Sequence, residues 1–415
     1  MNIRRKILID RIAGKPAAFC LNLAARLLAK LLKRNHTLHS GFSRIVVCKF
    51  VGMGSVIQLT PLIRTLRSNF PKARIAFVTT EANREMVDRL GLVDQIITVN
   101  DSGILSMGVS SVRALFALWR FKAEAYLDFE IYSNYSSMLA TLSCAKNRIG
   151  YFKSSFAYRS GMYNYLIFFN MKAPVSNVYL HTARLLKCET FVPELYPIPV
   201  RDEDRAALKL KLPLLPGEKY IVLNPNASDL RVERRWDAEC YAKLMERLAA
   251  AYPHIKIVVT GSQSEAPYVS SVLDKVAGTG GNNIANLSGQ LTLGALFALV
   301  EGAELLISND TGPMHIAFAL RKKSVTLWGP GHPFQYGSAE TSLSIYKNLY
   351  CSPCIYEFDI PPCKGDNQCM KAISVDEVFA AVCSVMEGRA ASRPAEQAMV
   401  FTGPESGQPL GIVVK

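Results

Sequence analysis

The segment 305–319 combines a buried strand with a helix that begins on polar residues. An apolar run precedes Asp310, and Asp310 or Thr311 is suited to cap the helix that follows. The first backbone N–H groups of a helix have no partner inside it and carry partial positive charge, so they bind anions. Gly312 permits close approach to the backbone, and His315 lies in the first turns. These residues predict a diphosphate site. An ordinary capped helix with a satisfied histidine is the alternative.

A polar and basic loop follows another apolar strand, residues 220–223. Asn226 and Ser228 supply polar side chains, and Arg234 and Arg235 come just before a tryptophan. Guanidinium groups bind phosphate oxygens with paired hydrogen bonds. The loop is therefore predicted to clamp the diphosphate from the other side. A solvated basic turn is the alternative.

A third apolar strand of this half, residues 255–260, runs into a polar loop that contains Glu265. The Glu265 carboxylate could accept hydrogen bonds from the hydroxyls of a ribose. Alternatively, it is an acid at a helix N-terminus, where the helix dipole favours negative charge.

In the first half of the chain, polar residues and glycines again follow apolar strands. Gly52 and Gly54 allow a tight turn and close backbone approach, and Ser55 begins the next helix. Asp128 and Glu130 end a later strand. Because parallel strands end at the same edge of a sheet, these residues are predicted to face one cleft.

Four cysteines fall within a short segment rich in proline. A tetrahedral zinc site with a structural role fits their spacing, and free thiols are the alternative. Stable disulfides are not expected in a cytosolic protein. The residues are Cys351, Cys354, Cys363 and Cys369.

Strands and helices alternate twice along the chain. Strands are predicted at 44–50, 74–80, 95–99 and 126–130, and then at 220–223, 255–260, 305–308 and 324–328, with helices that include 55–70 and 110–121. This pattern predicts an α/β fold with two Rossmann-like, doubly wound parallel-sheet domains that face a central cleft. The predicted domains are 41–195 and 196–388, preceded by an arm at 1–40 and followed by a disordered tail at 389–415.

Composition favours a soluble enzyme with anionic partners. The chain has 415 residues, 49% of them hydrophobic and 20% charged, with a formal net charge of +14. Every apolar stretch long enough to span a membrane contains charge, and no secretion signal is evident, so neither a transmembrane helix nor export is expected. Nucleic acid is not expected as a partner, because no recognisable module or interleaving of aromatic and basic residues is present.

Residues 1–40 have the pattern of two basic amphipathic helices, broken near Gly14 and Pro16. Leucines and isoleucines recur at helical spacing, and lysines and arginines fill the remaining positions. Such helices bind an anionic bilayer surface. A helical arm that packs on the body of the protein is the alternative.

Three segments together resemble the glycosyltransferase family that contains the lipopolysaccharide heptosyltransferases. They are residues 49–62, residues 287–289 and residues 308–315, and the Asp-Thr-Gly-x-x-His element at Asp310 is the most specific. The likeness covers residues 44–385. It implies the GT-B fold, and an inverting reaction that uses ADP-heptose and no metal cofactor.

The resemblance also assigns roles to residues. It implies that domain 41–195 holds the acceptor and that domain 196–388 holds the nucleotide sugar. The family's basic residue before a tryptophan corresponds to Arg234 and Arg235, with arginine in place of the usual lysine at 234, and its acid after the third strand corresponds to Glu265.

One departure concerns the catalytic base. The family carries Gly-Asp in the loop after the first strand, and that aspartate takes the proton of the acceptor hydroxyl; this chain has Gly54-Ser55. A serine hydroxyl does not accept a proton at neutral pH, so Glu130 is the preferred substitute and Asp128 its alternative. The opposing interpretation is that Asp128 is structural and Glu130 only binds sugar hydroxyls.

The sequence therefore predicts a metal-independent glycosyltransferase that moves a sugar, heptose by resemblance, from a nucleotide diphosphate to a lipopolysaccharide core or related envelope glycan. No cofactor is expected for catalysis, apart from structural zinc at the cysteines. The expected location is the cytoplasm, at the inner face of a bacterial inner membrane. A nucleotide-sugar-binding or scaffold protein with impaired turnover is the alternative that Ser55 suggests.

Overall fold

A computed structural model describes most of the chain, and it divides into two compact units. Unit 1 comprises residues 1–196 and 400–415, and unit 2 comprises residues 197–399. The described residues are 3–33, 35–38, 41–227, 231–277, 283–338, 340–355, 361, 363–388 and 412–414, without the side chains of 3, 4 and 412–414. The boundary between residues 196 and 197 lies one residue from the predicted boundary between 195 and 196, and the arm belongs to unit 1.

Strands and helices alternate through both units, as the sequence predicts. The strands are β1 Arg44–Cys48, β2 Arg74–Thr80, β3 Gln95–Val99, β4 Ala125–Asp128, β5 Asn147–Phe152, β6 Tyr165–Phe168, β7 Lys219–Asn224, β8 Ile255–Val259, β9 Ile284–Asn286, β10 Leu305–Asn309, β11 Ser324–Trp328, β12 Ser342–Tyr346 and β13 Ile412–Val414. The helices of unit 1 are α1 Ile3–Ile9, α2 Lys15–Leu32, α3 Met53–Gln58, α4 Thr60–Asn69, α5 Glu81–Leu90, α6 Ile104–Phe121, α7 Asn134–Leu142 and α8 Val175–Leu185. Those of unit 2 are α9 Asp202–Lys211, α10 Ala238–Ala251, α11 Ala266–Leu273, α12 Leu293–Gly302, α13 Gly312–Ala319, α14 Pro333–Tyr336, α15 Gln368–Lys371 and α16 Val375–Met386.

The sheet of unit 1 has the strand order β13-β6-β5-β4-β1-β2-β3. Strands β1 to β6 are parallel, and β13 pairs antiparallel with β6. The central strand β1 is buried on both faces, as its run of β-branched residues requires. Because β1 and β4 are neighbours, their carboxyl ends bring the loop that follows Cys48 next to Asp128.

The sheet of unit 2 has the strand order β12-β11-β10-β7-β8-β9, and every pair is parallel. Strands β7, β10 and β11 are the most buried strands of this sheet, and α10 and α16 cover one of its faces. The central position of β7 and β10 places the loops after Asn224 and Asn309 side by side. The α/β fold class with two parallel sheets is thus confirmed.

The N-terminal arm forms one continuous helical rod, and not the two separate helices that the sequence predicts. A π-helical turn at Asp10–Gly14 joins α1 to α2, so Gly14-Lys15-Pro16 is no break. Proline is tolerated there because it occupies the first turn of α2, where its missing N–H would have no intrahelical partner. The arm packs against α7 and against the 3₁₀ helix Ser154–Met162.

Asp10 fixes the arm to the N-terminus of α7. Its Oδ2 accepts a hydrogen bond from the Asn134 amide and its Oδ1 accepts one from the Tyr135 amide, each at 2.8 Å. A carboxylate is favoured at a helix N-terminus by the unpaired amides and by the dipole. Gly14 lies close by: a Cβ there would come within 2.9 Å of Asp10 Oδ1 and 3.3 Å of Asn134 Cβ. The arm therefore packs on the body of the protein, which is the alternative that the sequence left open.

Several element boundaries differ from the sequence prediction. The predicted helix 55–70 is two helices, α3 and α4, that meet at Leu59, and α6 begins at Ile104 instead of residue 110. Helix α10 begins at Ala238, where Asp237 caps it, after Trp236. The tail 389–415 lies outside the described residues except for 412–414, which form β13.

Two described helices are long and apolar enough to cross a membrane on length and composition alone, Arg5–Leu32 and Ile104–Phe121. The sequence prediction of no such helix is thus not supported by this criterion. Both helices nevertheless pack one side into unit 1, where Ala18 of the arm and Ala114 and Leu118 of α6 belong to its core.

Candidate functional site

In unit 2, strand β10 runs directly into helix α13. Thr311 is the N-cap with an extended backbone, and its side chain accepts no hydrogen bond from the first turn of this helix. The Thr311 hydroxyl faces the strands instead, where it accepts a hydrogen bond from Asn224 Nδ2 at 2.8 Å. Pro313 lies in the first turn, where it costs no hydrogen bond. The N-terminal amides of α13 are therefore not capped by the Thr311 side chain, and they carry positive partial charge.

Asp310 does not cap the helix but pairs with Arg234. The Arg234 Nε lies 3.4 Å from Asp310 Oδ2, and Arg234 Nη1 donates a hydrogen bond to the Asp310 carbonyl oxygen at 3.0 Å. Both side chains are largely buried. Gly331 leaves room for the carboxylate, because a Cβ there would lie 2.6 Å from Asp310 Oδ2. The ion pair fixes a guanidinium beside the start of α13.

His315 is buried one turn into α13. Burial lowers the pKa of His315 to about 4; Asp310 opposes this effect and Arg234 adds to it. Its ring contacts Phe318 and Tyr336 in edge-on geometry. The imidazole is therefore neutral at pH 7. A neutral imidazole can donate a hydrogen bond to a phosphate oxygen but brings no positive charge.

Three asparagines connect the carboxyl ends of the strands. Asn309 Nδ2 donates to the carbonyl oxygens of Pro225 and Asn226 at 3.0 and 2.9 Å, and Asn309 Oδ1 accepts from the Tyr241 hydroxyl at 2.8 Å. Asn226 Nδ2 donates to Asn224 Oδ1 at 2.8 Å. Asn226 is thus used to hold the loop, although its buried Oδ1 has no hydrogen-bond partner among the described residues. Asn224 and Asn309 were missed by the sequence interpretation, although each ends an apolar strand.

The other arginines of the basic loop contact the protein itself. Arg235 Nη2 donates to the Ala227 carbonyl oxygen at 3.2 Å, and its guanidinium lies 4.1 Å from the centre of the Tyr268 ring. Arg231 donates to the Ile355 carbonyl oxygen. Ser228 lies outside the described residues. Among the three arginines, Arg234 is the one that the structure brings to Asp310.

Glu265 closes the loop after β8. Its Oε2 accepts hydrogen bonds from the backbone amide and the hydroxyl of Ser262, both at 2.8 Å. Gly261 links this loop to the asparagines, because a Cβ at Gly261 would lie 2.7 Å from Asn226 Nδ2. Glu265 therefore lies near the same edge of the sheet as Asn226. Its predicted contact with a ribose stays a prediction.

In unit 1, the loop after β1 makes a tight turn into α3. Gly52 has a φ of 88°, a left-handed conformation that favours glycine, and its carbonyl oxygen accepts a hydrogen bond from the Ser55 amide at 3.0 Å. Gly54 is buried in the first turn of α3. Ser55 lies where the resemblance implies an aspartate, and its hydroxyl hydrogen-bonds the side chain of Tyr179.

Glu130 organises this loop through a single oxygen. Its buried Oε1 accepts hydrogen bonds from Lys49 Nζ at 2.9 Å and from the amides of Phe50 and Val51 at 2.7 Å each. Charged groups make strong hydrogen bonds of this kind, and three of them hold the carboxylate firmly. The structure thus places Glu130 against the β1 loop, as the sequence predicts. Three donors on one oxygen favour a positioning role.

Both carboxylate oxygens of Asp128 also accept hydrogen bonds. The Tyr163 hydroxyl donates to Oδ2 at 2.7 Å, and the Glu130 amide donates to Oδ1 at 2.9 Å. Burial raises the pKa of Asp128 to about 6, although these two hydrogen bonds and Arg159 act in the opposite direction. Asp128 can therefore bind a proton near pH 6, although both of its oxygens already accept hydrogen bonds.

The sequence interpretation missed Lys49, Tyr163 and Tyr179, which complete this polar group. Lys49 follows the first apolar strand, a signal that was available in the sequence. The two tyrosines come from distant segments. The pKa of Tyr179 is raised overall, mainly by burial and also by Glu130. Its hydrogen bond with Ser55 acts in the opposite direction.

The four cysteines of the proline-rich segment lie near one another in unit 2, and all are free thiols. Burial raises the pKa of the Cys369 thiol to about 11, with a smaller contribution from Cys354, Cys351 and Cys363. Among the described residues, which omit 356–360 and 362, no group of three or more histidine, cysteine, aspartate or glutamate side chains is placed to hold a metal ion. Zinc at these cysteines stays a prediction.

Known proteins share both the sequence pattern and the fold. The sequence profile of glycosyltransferase family 9 (heptosyltransferase) matches residues 129–363. Lipooligosaccharide heptosyltransferase 2 of Campylobacter jejuni subsp. jejuni is 26% identical over 249 residues, which cover 56% of this chain and 75% of the relative.

Solved structures of the same kind superpose on most of the chain. A family 9 glycosyl transferase from Veillonella parvula has a TM-score of 0.70 at 22% identity and covers 85% of this chain and 99% of its own. The E. coli ADP-heptose lps heptosyltransferase II has a TM-score of 0.66 at 19% identity and covers 84% of this chain and 100% of its own. These likenesses confirm the GT-B type of fold. Since the family profile spans more than half of the sequence, this chain belongs to glycosyltransferase family 9, the heptosyltransferase family, and is a glycosyltransferase.

Proposed function

We propose that this glycosyltransferase transfers heptose from ADP-heptose to a lipopolysaccharide core acceptor, with inversion at the anomeric carbon. The observation that carries the proposal is the start of α13, where amides without a side-chain cap lie beside the Arg234–Asp310 pair. Relatives named as heptosyltransferases of lipooligosaccharide and lipopolysaccharide support the sugar and the acceptor. ADP-heptose contains a diphosphate, which is the group that this site is suited to bind.

Unit 2 is proposed to bind the nucleotide diphosphate. The amides of Thr311 and Gly312 would receive phosphate oxygens, and Arg234 would supply positive charge from a fixed position. Neutral His315 would donate a hydrogen bond to a phosphate oxygen. Glu265 is proposed to bind the ribose, as the family resemblance implies.

The reaction needs stabilisation of the departing diphosphate. In an in-line displacement, the acceptor hydroxyl forms a bond to the anomeric carbon while the bond to the diphosphate breaks and negative charge grows on the phosphate oxygens. Fixed dipoles and cations aimed at that charge lower the barrier. Because the amides of α13 and Arg234 can supply this stabilisation, we propose that no divalent metal is required. Full activity in excess EDTA would support this, and activity restored only by added Mg²⁺ would contradict it.

The acceptor is proposed to bind to unit 1 at the β1 loop, which includes Gly52, Gly54 and Ser55. We retain Glu130 as the proposed base, with Asp128 as the alternative. Glu130 Oε1 is held by three donors, so the proton would go to its other oxygen, Oε2. The opposing role, in which Glu130 only positions the loop, predicts a different kinetic result that is described in the Discussion.

A structural role is proposed for the cysteine segment. The arrangement of Cys351, Cys354, Cys363 and Cys369 does not itself provide a metal site. The zinc prediction is tested by the metal content of the purified chain. One zinc per chain, lost together with thermal stability on chelation, would support it, and a metal-free chain of unchanged stability would contradict it.

The arm is proposed to hold the enzyme at an anionic membrane surface, in the cytoplasm and as a peripheral protein. Its outward side carries exposed leucines, and its lysines and arginines flank them. Apolar burial together with attraction to anionic lipids is the usual basis for such binding.

A panel of nucleotide sugars tests the donor assignment. We expect ADP-heptose to raise the melting temperature of the purified chain more than UDP- or GDP-linked sugars do, and we expect Asp310→Ala and His315→Ala to abolish the rise. Mass spectrometry of a heptose-deficient lipopolysaccharide acceptor then reports transfer. Equal stabilisation of the variants would contradict the pocket, and binding without transfer would favour the impaired, scaffold-type alternative.

A further inference from the structure

Helix α6 presents a row of exposed apolar side chains that the glycosyl transfer does not use. Leu105 is 82% exposed and Phe116 is 62% exposed. The row follows the spacing of one helix side and consists of Leu105, Val109, Val112, Phe116 and Trp119. The opposite side of the same helix is buried, because Ala114 and Leu118 pack into the core of unit 1. The exposed row is thus on a helix whose orientation is fixed.

The arm has a similar outer side. Its inner side is buried at Ala18 and Asn22. Its outer side exposes a series of large apolar side chains, with Leu31 the most exposed at 78%. The series is Ile7, Leu8, Ile12, Phe19, Leu23, Leu27, Leu28, Leu31 and Leu32.

The arm and α6 lie on the same face of the unit 1 sheet. The core that receives Ala18 and Leu118 contains alternate residues of the strands, including Val46 and Cys48 of β1. Alternate residues of a strand point to one face of a sheet. Both helices therefore cover that face, and their exposed sides point away from the same sheet. An ion pair between Lys6 and Asp101 also ties the start of the arm to the residues just before α6.

Apart from Asp10, every charged residue of these two helices is a lysine or an arginine. Asp10 is the one acidic residue of the helices Ile3–Leu32 and Ile104–Phe121, and its carboxylate is occupied at the N-terminus of α7. The exposed basic side chains include Arg5, Lys30, Arg113 and Arg120. A second copy of this face would be repelled by such charge, whereas an anionic surface would be attracted.

We propose that α6 and the arm together form one docking face for an anionic lipid bilayer, with both helices parallel to the membrane surface. The inference rests on the proposed membrane association of the arm and adds α6 as a second contact. Neither helix spans the bilayer in this arrangement, because the inner side of each is held in the protein core. The apolar rows enter the boundary between headgroups and acyl chains, and the arginines and lysines lie at the lipid phosphates.

Trp119 provides a direct test in the unmodified chain. The three tryptophans are Trp119, Trp236 and Trp328; the latter two are fully buried in unit 2, whereas Trp119 is 44% exposed. Vesicles that contain phosphatidylglycerol should shift the tryptophan emission to shorter wavelength, and lipids brominated near the headgroup should quench it. Emission that does not change while the protein cosediments with the vesicles would overturn the role of α6.

Substitutions distinguish the contribution of α6 to vesicle binding from that of the arm. We expect Leu105→Ser combined with Phe116→Ser to weaken cosedimentation with these vesicles by about 10-fold or more, because two large apolar side chains no longer enter the lipid. Leu210→Ser is the control, since Leu210 is about as exposed as Leu105 but lies in unit 2. It should bind like the unmodified chain. Thermal unfolding confirms that each variant is folded.

The outcomes distinguish the two proposals. If Leu23→Ser with Leu27→Ser weakens vesicle binding but the α6 variant does not, the arm alone binds the membrane and this inference fails. If the unmodified chain ignores anionic vesicles, both proposals fail. A dimer in analytical ultracentrifugation that the Phe116 substitution dissociates, without vesicle binding, would assign the face to a second copy and overturn the proposal.

Discussion

Arg234 and Asp310 form a buried ion pair at the start of α13, although they come from different loops of unit 2. The guanidinium contacts both the carboxylate, at 3.4 Å, and the backbone carbonyl oxygen, at 3.0 Å. The pair therefore sets the position of a cation relative to the uncapped amides of the helix. A diphosphate bound to those amides would share this cation with Asp310.

Removal of either partner should weaken donor binding, and removal of Asp310 should also destabilise the fold. Arg234→Ala should weaken ADP binding by about 10- to 100-fold, because a charge-assisted contact to phosphate is lost. Asp310→Ala should lower the free energy of unfolding by about 3 kcal/mol, since it leaves a buried guanidinium without its carboxylate. Calorimetric titration and urea unfolding measure the two effects.

A matched control and a double variant complete this test. Arg205→Ala removes an arginine from an exposed ion pair with Glu301 and should change stability by less than about 1 kcal/mol. The double variant Arg234→Ala with Asp310→Ala should be more stable than the sum of the single losses predicts, because no unpaired charge remains. Additive losses would show that the pair is not coupled.

The pKa of His315 should make stability depend on pH. Its folded-state pKa is about 4, below the usual 6.5, so the unfolded chain binds a proton between these values that the folded chain does not. The contribution is fully present above pH 6.5 and is lost as the pH falls from 6.5 to 4, by about 3 kcal/mol in total. His315→Asn should flatten this part of the profile. A slope equal to that of the unmodified chain would show that His315 titrates normally.

Substitution of Glu130 should distinguish a base from a positioning residue. Glu130→Gln keeps an oxygen for the amides of Phe50 and Val51 but cannot take a proton. If Glu130 is the base, kcat should fall by about 100-fold or more while donor affinity stays the same. Glu124→Gln, at the opposite end of β4, should leave kcat unchanged. A rise in the KM for the acceptor at constant kcat would assign Glu130 to positioning and transfer the base role to another group.

Asp10 should control the attachment of the arm. Asp10→Ala removes two hydrogen bonds to the N-terminus of α7, and about 1 kcal/mol of stability should be lost, as for other helix caps. The released arm should be cut by trypsin at its lysines and arginines faster than the arm of the unmodified chain. Glu85→Ala, which removes an exposed ion pair with Arg89 within α5 and no contact of the arm, is the control. An equal cleavage rate in all three proteins would show that Asp10 does not anchor the arm.

Local patterns were sufficient for much of the fold. The apolar runs at β1, β7, β10 and β11 predicted the buried strands, because strands of a parallel sheet are covered on both faces. The strand-to-helix junction at Thr311 also followed from adjacent residues. The join between α3 and α4 and the continuity of the arm were mispredicted, since Gly14 and Pro16 suggest a break by themselves. The packing of Gly14 against Asp10 and Asn134 is a contact between distant segments that local sequence does not contain.

For this protein, the sequence by itself determined the alternation of strands and helices, the family, and the position of polar residues at the ends of particular strands. Each of these depends on neighbouring residues and on chain direction. Tertiary structure alone decided that Arg234 is the arginine that meets Asp310, that His315 is neutral, and that Glu130 holds the β1 loop. Those properties depend on burial and on contacts between segments far apart in the chain. Desolvation and distance, which set pKa and pairing, exist only once the two sheets have formed.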